Sequence, residues 1–579
     1  MRTRRSLTVV GIFLLAALVA VPSVATASPL PQDRSYSSPA AAADVGSQHD
    51  DCQPIANGTR ANPASDRLGW EAGCWYDDGI DVNRTDGLNQ TELDAVVARA
   101  MARVERLRDL EFNKTVPVQV LTQTEYRNRF MNLTGNTSTA ERLHQNVKWE
   151  ATFYVNETTD ALENLRSTLA NGTSGFYSPQ SDRIRIVTSN PGSLQIAELT
   201  LGHELVHALQ DQHFDTSYNR STTDGGHASD GIVEGDADFV EAMYGDYCED
   251  NWSCLRAAST GSGGGSVHVG FQINALVPYS EGGQFVQTRY QRGGWAAVNQ
   301  VYENPPTSSE QVIHPARYPD ETAVDLRIEH TTSGPWRMLD LPGGVDHATF
   351  GEGAINAMFW YASFQKSQAA GAARTVVIPY RHFFNFQPGT TQLRDVHPYN
   401  YSHPVTEGWA GDRLVPYVTN GSAETNETGY VWKLAWDSPA DAREFATGYR
   451  TLLEYRGATP VESHVNTFRI PNGTEFGDAF YVTRTGDTVV VVNAPSVPAL
   501  SKVHAGAAPE VTPTPTPTAT PTPTPTPTPS PTPTPTPTLS PTTTSATTTT
   551  ASGSGPAPGV VVTLLAATLA LALAARRRR

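Results

Sequence analysis

The chain has 579 residues and a formal net charge of −17, from 42 Lys and Arg against 59 Asp and Glu. That acid excess, with no basic patch in the folded part, argues against a nucleic-acid partner. Only five of the cations are lysines, and an acidic surface carrying Arg rather than Lys fits either a protein kept soluble in high salt or an ordinary acidic exoprotein.

Arg2, Arg4 and Arg5 precede an apolar run over residues 7–20, and Ala25-Thr26-Ala27 offers a small-residue cleavage site before Ser28. Residues 1–27 therefore read as a secretory signal. The run Thr3-Arg4-Arg5-Ser6-Leu7 resembles a twin-arginine signal, with a general secretion signal as the alternative. Residues 28–60, rich in Ser, Ala and Asp, read as a flexible leader. Folded structure is expected from about residue 62 to 503, long enough for two or three units. Leu93, Val96, Val97, Met101, Val104 and Leu107 recur at helical spacing and predict a helix over 91–110. Residues 116–122 and 183–188 read as strands. Pro191-Gly192-Ser193 looks like a helix start with Ser193 as N-cap, and Leu194, Ile196, Leu199, Val206 and Leu209 continue as an apolar stripe.

Inside that predicted helix lie His203-Glu204 and, four positions after the first imidazole, His207. Residues four apart share a helix face, so both imidazoles can grip one Zn²⁺ while Glu204 sits beside the remaining coordination position, placed to take a proton from metal-activated water. A catalytic zinc site has three protein ligands and one open position. Glu234, on a second predicted helix over 230–244, is the best third ligand. Asp238 lies one turn further on and can accept the free ring N–H of a bound imidazole. Two other readings stay open at this point: a satisfied core cluster of polar residues, and a metal site without activity.

His203-Glu204-x-x-His207 followed by Glu234-x-x-x-Asp238 resembles the gluzincin division of zinc metallopeptidases. The resemblance implies His203, His207 and Glu234 as zinc ligands, Glu204 as general base, Asp238 behind a ligand, and a peptide or protein substrate. Peptidases of this type often add a His or Tyr donor for the developing oxyanion. His314 is the first candidate, with His227 and Tyr244 behind it. They also commonly pair the substrate backbone with a strand edge beside the zinc helix, which here assigns that role to residues 183–188. A second, broader resemblance runs through Gly293-Gly294-Trp295, Pro305-Pro306, Gly408-Trp409-Ala410-Gly411-Asp412-Arg413 and Trp436-Asp437-Ser438-Pro439. These stretches look like secreted prokaryotic proteins that carry the same zinc-helix motif, and the likeness would cover most of residues 90–500.

Cys52, Cys74, Cys248 and Cys254 complete the inventory of thiols. Spacing suggests Cys52–Cys74 and Cys248–Cys254, although three connectivities exist. Residues 261–266 form a Gly/Ser-rich linker or flap. Residues 281–302 and 351–367 read as helices. Beyond about residue 375 the pattern predicts a strand over 431–436, a helix over 439–455, and a hairpin of 479–483 with 489–493 turning at Gly486-Asp487. Residues 506–555 contain a Thr-Pro repeat whose extended path would span about 120 Å as a stalk. Residues 559–575 are apolar and end in Arg576 to Arg579, as a membrane-spanning helix with a cytoplasmic Arg cluster would. Pro558-Gly559, the apolar run and the Arg cluster resemble the PGF-CTERM sorting tail of archaeal, often halophilic, surface proteins, which implies archaeosortase processing. Here Val560 stands where that family has Phe. Fourteen of the 26 asparagines sit in Asn-x-Ser/Thr sequons, which suggests N-linked glycans.

The expected architecture is α+β. A zincin-like helical metallopeptidase core with a small sheet occupies 61–330 and a small helical and α/β domain 331–505. The stalk over 506–555 and a transmembrane or sorting tail over 556–579 follow. The expected function is a cell-surface zinc metallopeptidase. The alternative is a glycosylated structural or adhesion protein with a retained metal site.

Overall fold

The computed structural model describes residue 52 and residues 67–512, apart from 84, 135–136, 189 and 257–266. The signal, most of the leader, the Gly/Ser loop, the stalk beyond residue 512 and the apolar tail lie outside the described residues; the stalk expected from residue 506 starts later, because Ala507 and Ala508 are buried against the sheet. Among the described residues no helix is long and apolar enough to cross a membrane.

The described chain is α+β. A short hairpin, β1 (Trp70–Glu71) and β2 (Cys74–Trp75), packs on α1 (Gln90–Arg108). Helix α1 begins where its capping box dictates: Asn89 accepts from the Glu92 N–H, and the Glu92 carboxylate accepts from the Asn89 N–H. Strand β3 (Val118–Thr122), helices α2 (Gln123–Thr134), α3 (Thr139–Ala151) and α4 (Ala161–Gly172), and strands β4 (Gly175–Ser178) and β5 (Arg183–Thr188) follow. The three strands form one sheet in the order β3-β5-β4, with β3 parallel and β4 antiparallel to β5.

Against this sheet packs α5 (Glu198–His213), and beside it α6 (Thr223–Asp250). Helix α5 does not start at Ser193. Residues 191–193 make a single 3-10 turn, Leu194 continues in extended conformation, and the N-cap Ala197 makes no side-chain cap. Tertiary contacts replace the local cap: Glu198, fully buried, takes the Arg99 guanidinium at 2.9 Å, the Arg103 guanidinium, the Tyr244 hydroxyl at 2.7 Å and the Leu255 N–H at 2.9 Å. Stripping one member from a buried ionic network of this kind costs roughly 3–5 kcal/mol, so these contacts outweigh a local capping preference of about 1 kcal/mol. A disulfide joins Cys248, near the end of α6, to Cys254, and another joins Cys52 to Cys74 of β2. Both fit an oxidising compartment.

Helices α7 (Val269–Ala275) and α8 (Val277–Glu303) come next, then the short α9 (Ser309–Ile313). The apolar pattern over 281–302 reads as one straight helix. In the structure α8 breaks at Gly293-Gly294, where Gly294 adopts φ 61°. Only glycine enters that region freely, and the break lays Trp295 on Arg108, 4.2 Å from guanidinium carbon to ring centre.

The remainder consists of β6 (Arg337–Met338), α10 (Gly351–Ala370), β7 (Trp409–Val418), α11 (Ser422–Thr425), β8 (Thr428–Trp436), α12 (Pro439–Tyr455), β9 (Thr459–Pro460), β10 (Thr467–Arg469), β11 (Ala479–Thr485), β12 (Thr488–Ala494) and α13 (Val497–Val503). Its seven strands form one sheet in the order β6-β7-β8-β12-β11-β10-β9, antiparallel at every pairing. The boundary expected near residue 330 does not divide two cores. One buried cluster runs from Trp149 of α3 and Phe271 of α7 through Phe359 of α10 to Trp432 of β8, Phe445 of α12 and Val491 of β12.

An irregular strap between α10 and β7 is tied to α8, where Glu281 accepts the Tyr401 N–H at 2.7 Å. Within it the Val405 N–H donates to His403 Nδ1 at 3.1 Å, so the ring must stay neutral. Burial, with the His382 ring behind it, pushes His403 down from 6.5 to about 4. A folded-state pKa below the unfolded one means that stability is complete above pH 6.5 and is lost as pH falls toward 4. His403→Asn supplies an acceptor that does not titrate. In urea unfolding between pH 6.5 and 4.5 the variant should lose less stability than wild type, by about 1 kcal/mol after allowing for the ring's partial exposure.

Candidate metal centre

Helix α5 carries His203 and His207 one turn apart, 1% and 3% exposed, with their Nε2 atoms 3.1 Å from each other. From α6, Glu234 brings Oε2 to 3.4 Å from His203 Nε2 and 3.2 Å from His207 Nε2. The three atoms form a nearly equilateral triangle. Its edges match the roughly 3.3 Å between ligands arranged tetrahedrally around a cation at ~2.0–2.1 Å.

The ring tautomers follow from the other nitrogens. His203 Nδ1 donates to Glu241 Oε2 at 3.0 Å, and His207 Nδ1 donates to Gln210 Oε1 at 3.0 Å. Gln210 is itself fixed, because its amide nitrogen donates to the Val233 carbonyl at 2.8 Å. With the protons on Nδ1, both Nε2 lone pairs point at Glu234 Oε2, a buried oxygen with no hydrogen-bond donor. Three lone-pair atoms converging in a buried site need a proton or a cation between them. Burial opposes charge on Glu234, and its carboxyl falls to about 2 only where positive charge on the two imidazoles, or a cation standing in for it, faces Oε2. His203, His207 and Glu234 can thus hold a metal ion.

Asp238 is a poorer partner for His203 than the sequence suggests. Its Oδ1 lies 3.3 Å from Nδ1, whereas Glu241, one turn further along α6, is closer and less exposed. Glu234, Asp238 and Glu241 follow an i, i+4, i+7 spacing, so Glu241 was within reach of helical periodicity. Glu241→Gln should weaken metal binding about 10-fold, toward the small end for groups that orient a ligand, because Asp238 stands ready as substitute. Competition against a chromophoric chelator measures it.

The helices that carry these residues are held by glycine contacts. A Cβ on Gly235 would sit 2.2 Å from the Gly282 carbonyl carbon, and one on Gly282 would sit 2.3 Å from the Gly231 carbonyl oxygen. Helices α6 and α8 therefore cross at backbone contact, immediately beside Glu234. That crossing also delivers Tyr279, in the first turn of α8, whose ring lies parallel to His203 at 6.3 Å between centres. Burial, together with the carboxylates of Glu234, Asp238, Glu204 and Asp230, holds the Tyr279 phenol well above its usual range, so its hydroxyl keeps its proton.

Glu204 is 2% exposed, and its Oε2 accepts the Tyr177 N–H at 2.7 Å. Burial raises this carboxyl above its ordinary value, and the imidazoles of His207 and His203 pull it part of the way back. The bond to Tyr177 corrects the expected substrate edge. Strand β5 is central and paired on both sides, so it has no edge to offer. Of the two edge strands, β3 and β4, the one that meets Glu204 is β4. Because the Val187 N–H donates to the Ser174 carbonyl, alternation along the antiparallel pair turns the backbone of Gly175 and Tyr177 outward, toward Glu204. The Tyr177 hydroxyl lies 2.8 Å from Asp182 and 2.7 Å from Asp211 of α5, which pins β4 against the helix.

Residues 337–504 match DUF8575, a domain of unknown function. No curated protein and no solved structure matches the chain. The DUF8575 segment contains α10 and the seven-stranded sheet and none of the residues around His203. Its part is to brace the site. Asp412 of β7 accepts the Phe350 and Gly351 N–H groups at the start of α10, and the adjoining Thr349 carbonyl accepts the Asp224 N–H in the first turn of α6.

The donor candidates named from sequence have other engagements. His314, at the end of α9, gives its Nε2 to the Glu352 carboxylate of α10, with oxygens at 3.1 and 2.9 Å. Tyr244 donates to Glu198 in the network at the α5 start. His227 lies two turns before Glu234 on α6, and burial pushes its imidazole down to about 3.

Proposed function

We propose that this chain is a zinc-dependent metallopeptidase of gluzincin type with a zincin-like core, exported and displayed at the cell surface. The observation that carries the reading is Glu204: a buried carboxylate beside the ligand triangle that is not itself a ligand. A purely structural ion has no use for it. His203, His207 and Glu234 would hold zinc, whose preferred donors are imidazole nitrogen and carboxylate oxygen. When bound, zinc supplies a Lewis acid that polarises the scissile carbonyl and makes water more acidic.

The chain's own groups do the rest. Substrate backbone lies along the outward edge of β4, in strand pairing with Gly175 and the Tyr177 carbonyl. Glu204 takes the proton of the attacking water and delivers it to the departing amine, a task suited to a carboxyl raised above its ordinary pKa. The Tyr177 N–H keeps Glu204 aimed. The Tyr279 ring lies beside His203, and its hydroxyl is the group we assign as donor to the carbonyl oxygen as it gains charge. Tyr279→Phe should therefore lower kcat about 10²-fold with little change in KM, the pattern of a contact made only in the transition state, in steady-state assays on one cleaved peptide.

The deciding experiment is digestion of a fluorescent peptide library by the purified chain in high salt, with and without chelator, after metal analysis. Cleavage that chelator abolishes and zinc restores is expected. A chain carrying one zinc ion that cuts nothing would instead leave a metal-holding surface scaffold. The two disulfides support export, and the signal-like start and apolar tail support display at the membrane.

A further inference from the structure

A second group of oxygen ligands lies where the N-terminal helices meet the C-terminal sheet. Glu150 is in the last turn of α3, Glu157 is in the turn that follows, and Asp478 stands just before β11. One carboxylate oxygen from each comes within 4.8 Å of the other two. Asp478 is 3% exposed. Its Oδ2 accepts from the Asn493 amide at 2.9 Å, and its Oδ1 has no hydrogen-bond partner. Among the described residues no ion pair reaches any of the three. Arg469, the cation with a bearing on Asp478, spends its Nη1 on the Gly477 carbonyl at 2.9 Å.

Three carboxylates gathered in a partly buried site repel one another at several kcal/mol per close pair unless protons or a cation intervene. A cation seated among the three oxygens would remove that repulsion. The Asp478 oxygen that receives no donor, in a group of three carboxylates with only Arg469 as a nearby positive charge, points to a cation as the missing member. The donors are all oxygen, which selects a hard ion rather than zinc. They come from two segments far apart in the chain, which suits the loose six- to eight-fold shell of calcium better than the strict octahedron of magnesium.

We propose that Glu150, Glu157 and Asp478 form a calcium site that staples helix α3 and its following turn to the seven-stranded sheet. The site stands independently of the metallopeptidase reading, since none of its residues belongs to the His203 centre. Binding would favour the folded chain by mass action, in proportion to the logarithm of the free calcium concentration over Kd.

The test uses the full chain, stripped with EGTA and then given Ca²⁺ alone. The melting temperature should rise by several degrees at millimolar Ca²⁺ in wild type and equally in Glu234→Gln, which disables the other centre. It should not move in Glu157→Gln or Asp478→Asn. In EGTA, Glu157→Gln should melt no lower than wild type, because it removes one of three like charges. Calorimetric titration with Ca²⁺ should show binding heat in wild type and lose it in Glu157→Gln, which carries the test if Asp478→Asn fails to fold. A wild-type chain whose melting ignores Ca²⁺, or a shift of equal size in Glu157→Gln, overturns the site.

Discussion

Glu204→Gln is expected to lower kcat/KM for peptide hydrolysis by about 10³- to 10⁴-fold while metal content stays unchanged. Glutamine keeps the shape of the side chain and an oxygen that can accept the Tyr177 N–H, now at 2.7 Å from Glu204 Oε2. It removes only the capacity to take a proton. The ligand triangle of His203, His207 and Glu234 does not include this side chain, so affinity for the ion should survive. His203→Ala differs in kind, since it opens one corner of the triangle and should abolish metal and activity together. Metal analysis alongside kinetics on the same preparations separates the two. A Glu204→Gln chain that retained zinc and cleaved at the wild-type rate would end the proposed mechanism.

Gly235→Ala should destabilise the chain by about 3 kcal/mol and weaken metal binding, although it adds one methyl group at a position that contacts no ligand. The added carbon would lie 2.2 Å from the Gly282 carbonyl carbon and 2.3 Å from its oxygen. Both are backbone atoms of a packed helix and cannot swing aside as a side chain could. Helices α6 and α8 must separate, which is overpacking at its most rigid and falls at the costly end of the 1–3 kcal/mol range. Glu234 is the adjacent residue, and Tyr279 lies on the other helix of the pair, so the same displacement opens the site. Urea unfolding and chelator competition read the two effects. By comparison, alanine at Gly226, where an added Cβ meets nothing within 4 Å, should be nearly silent.

Local signals are legible where local forces decide. The helix expected over 439–455 matches α12, because Ser438 caps it with bonds to the Ala440 and Asp441 N–H groups and Pro439 fits the first turn. The 479–493 hairpin and the span of β5 were legible for the same reason. The i, i+4 spacing of His203 and His207 placed both rings on one face before any fold was known. What failed depends on partners distant in sequence. Ser193 carries a capping residue, yet α5 starts five residues later because Arg99 and Arg103 settle Glu198 there. Strand β5 was recognisable, but its central place in the sheet depends on β3 and β4 flanking it, which periodicity does not encode. Tyr177 and Tyr279 reach the site through a strand edge and a helix crossing. Neither carries a pattern of its own, and His314, which does stand in a suggestive motif, is spent on Glu352.

The buried cluster that runs from Trp149 through Phe359 to Val491 makes the DUF8575 segment inseparable from the rest. A fragment ending at residue 330 would leave one side of α3 and α7 bare to water, with Trp149 and Phe271 among the stranded rings, and would clump rather than fold. The half that carries His203, His207 and Glu234 cannot be trimmed out as a separate folding unit, and heat should melt both halves in a single step.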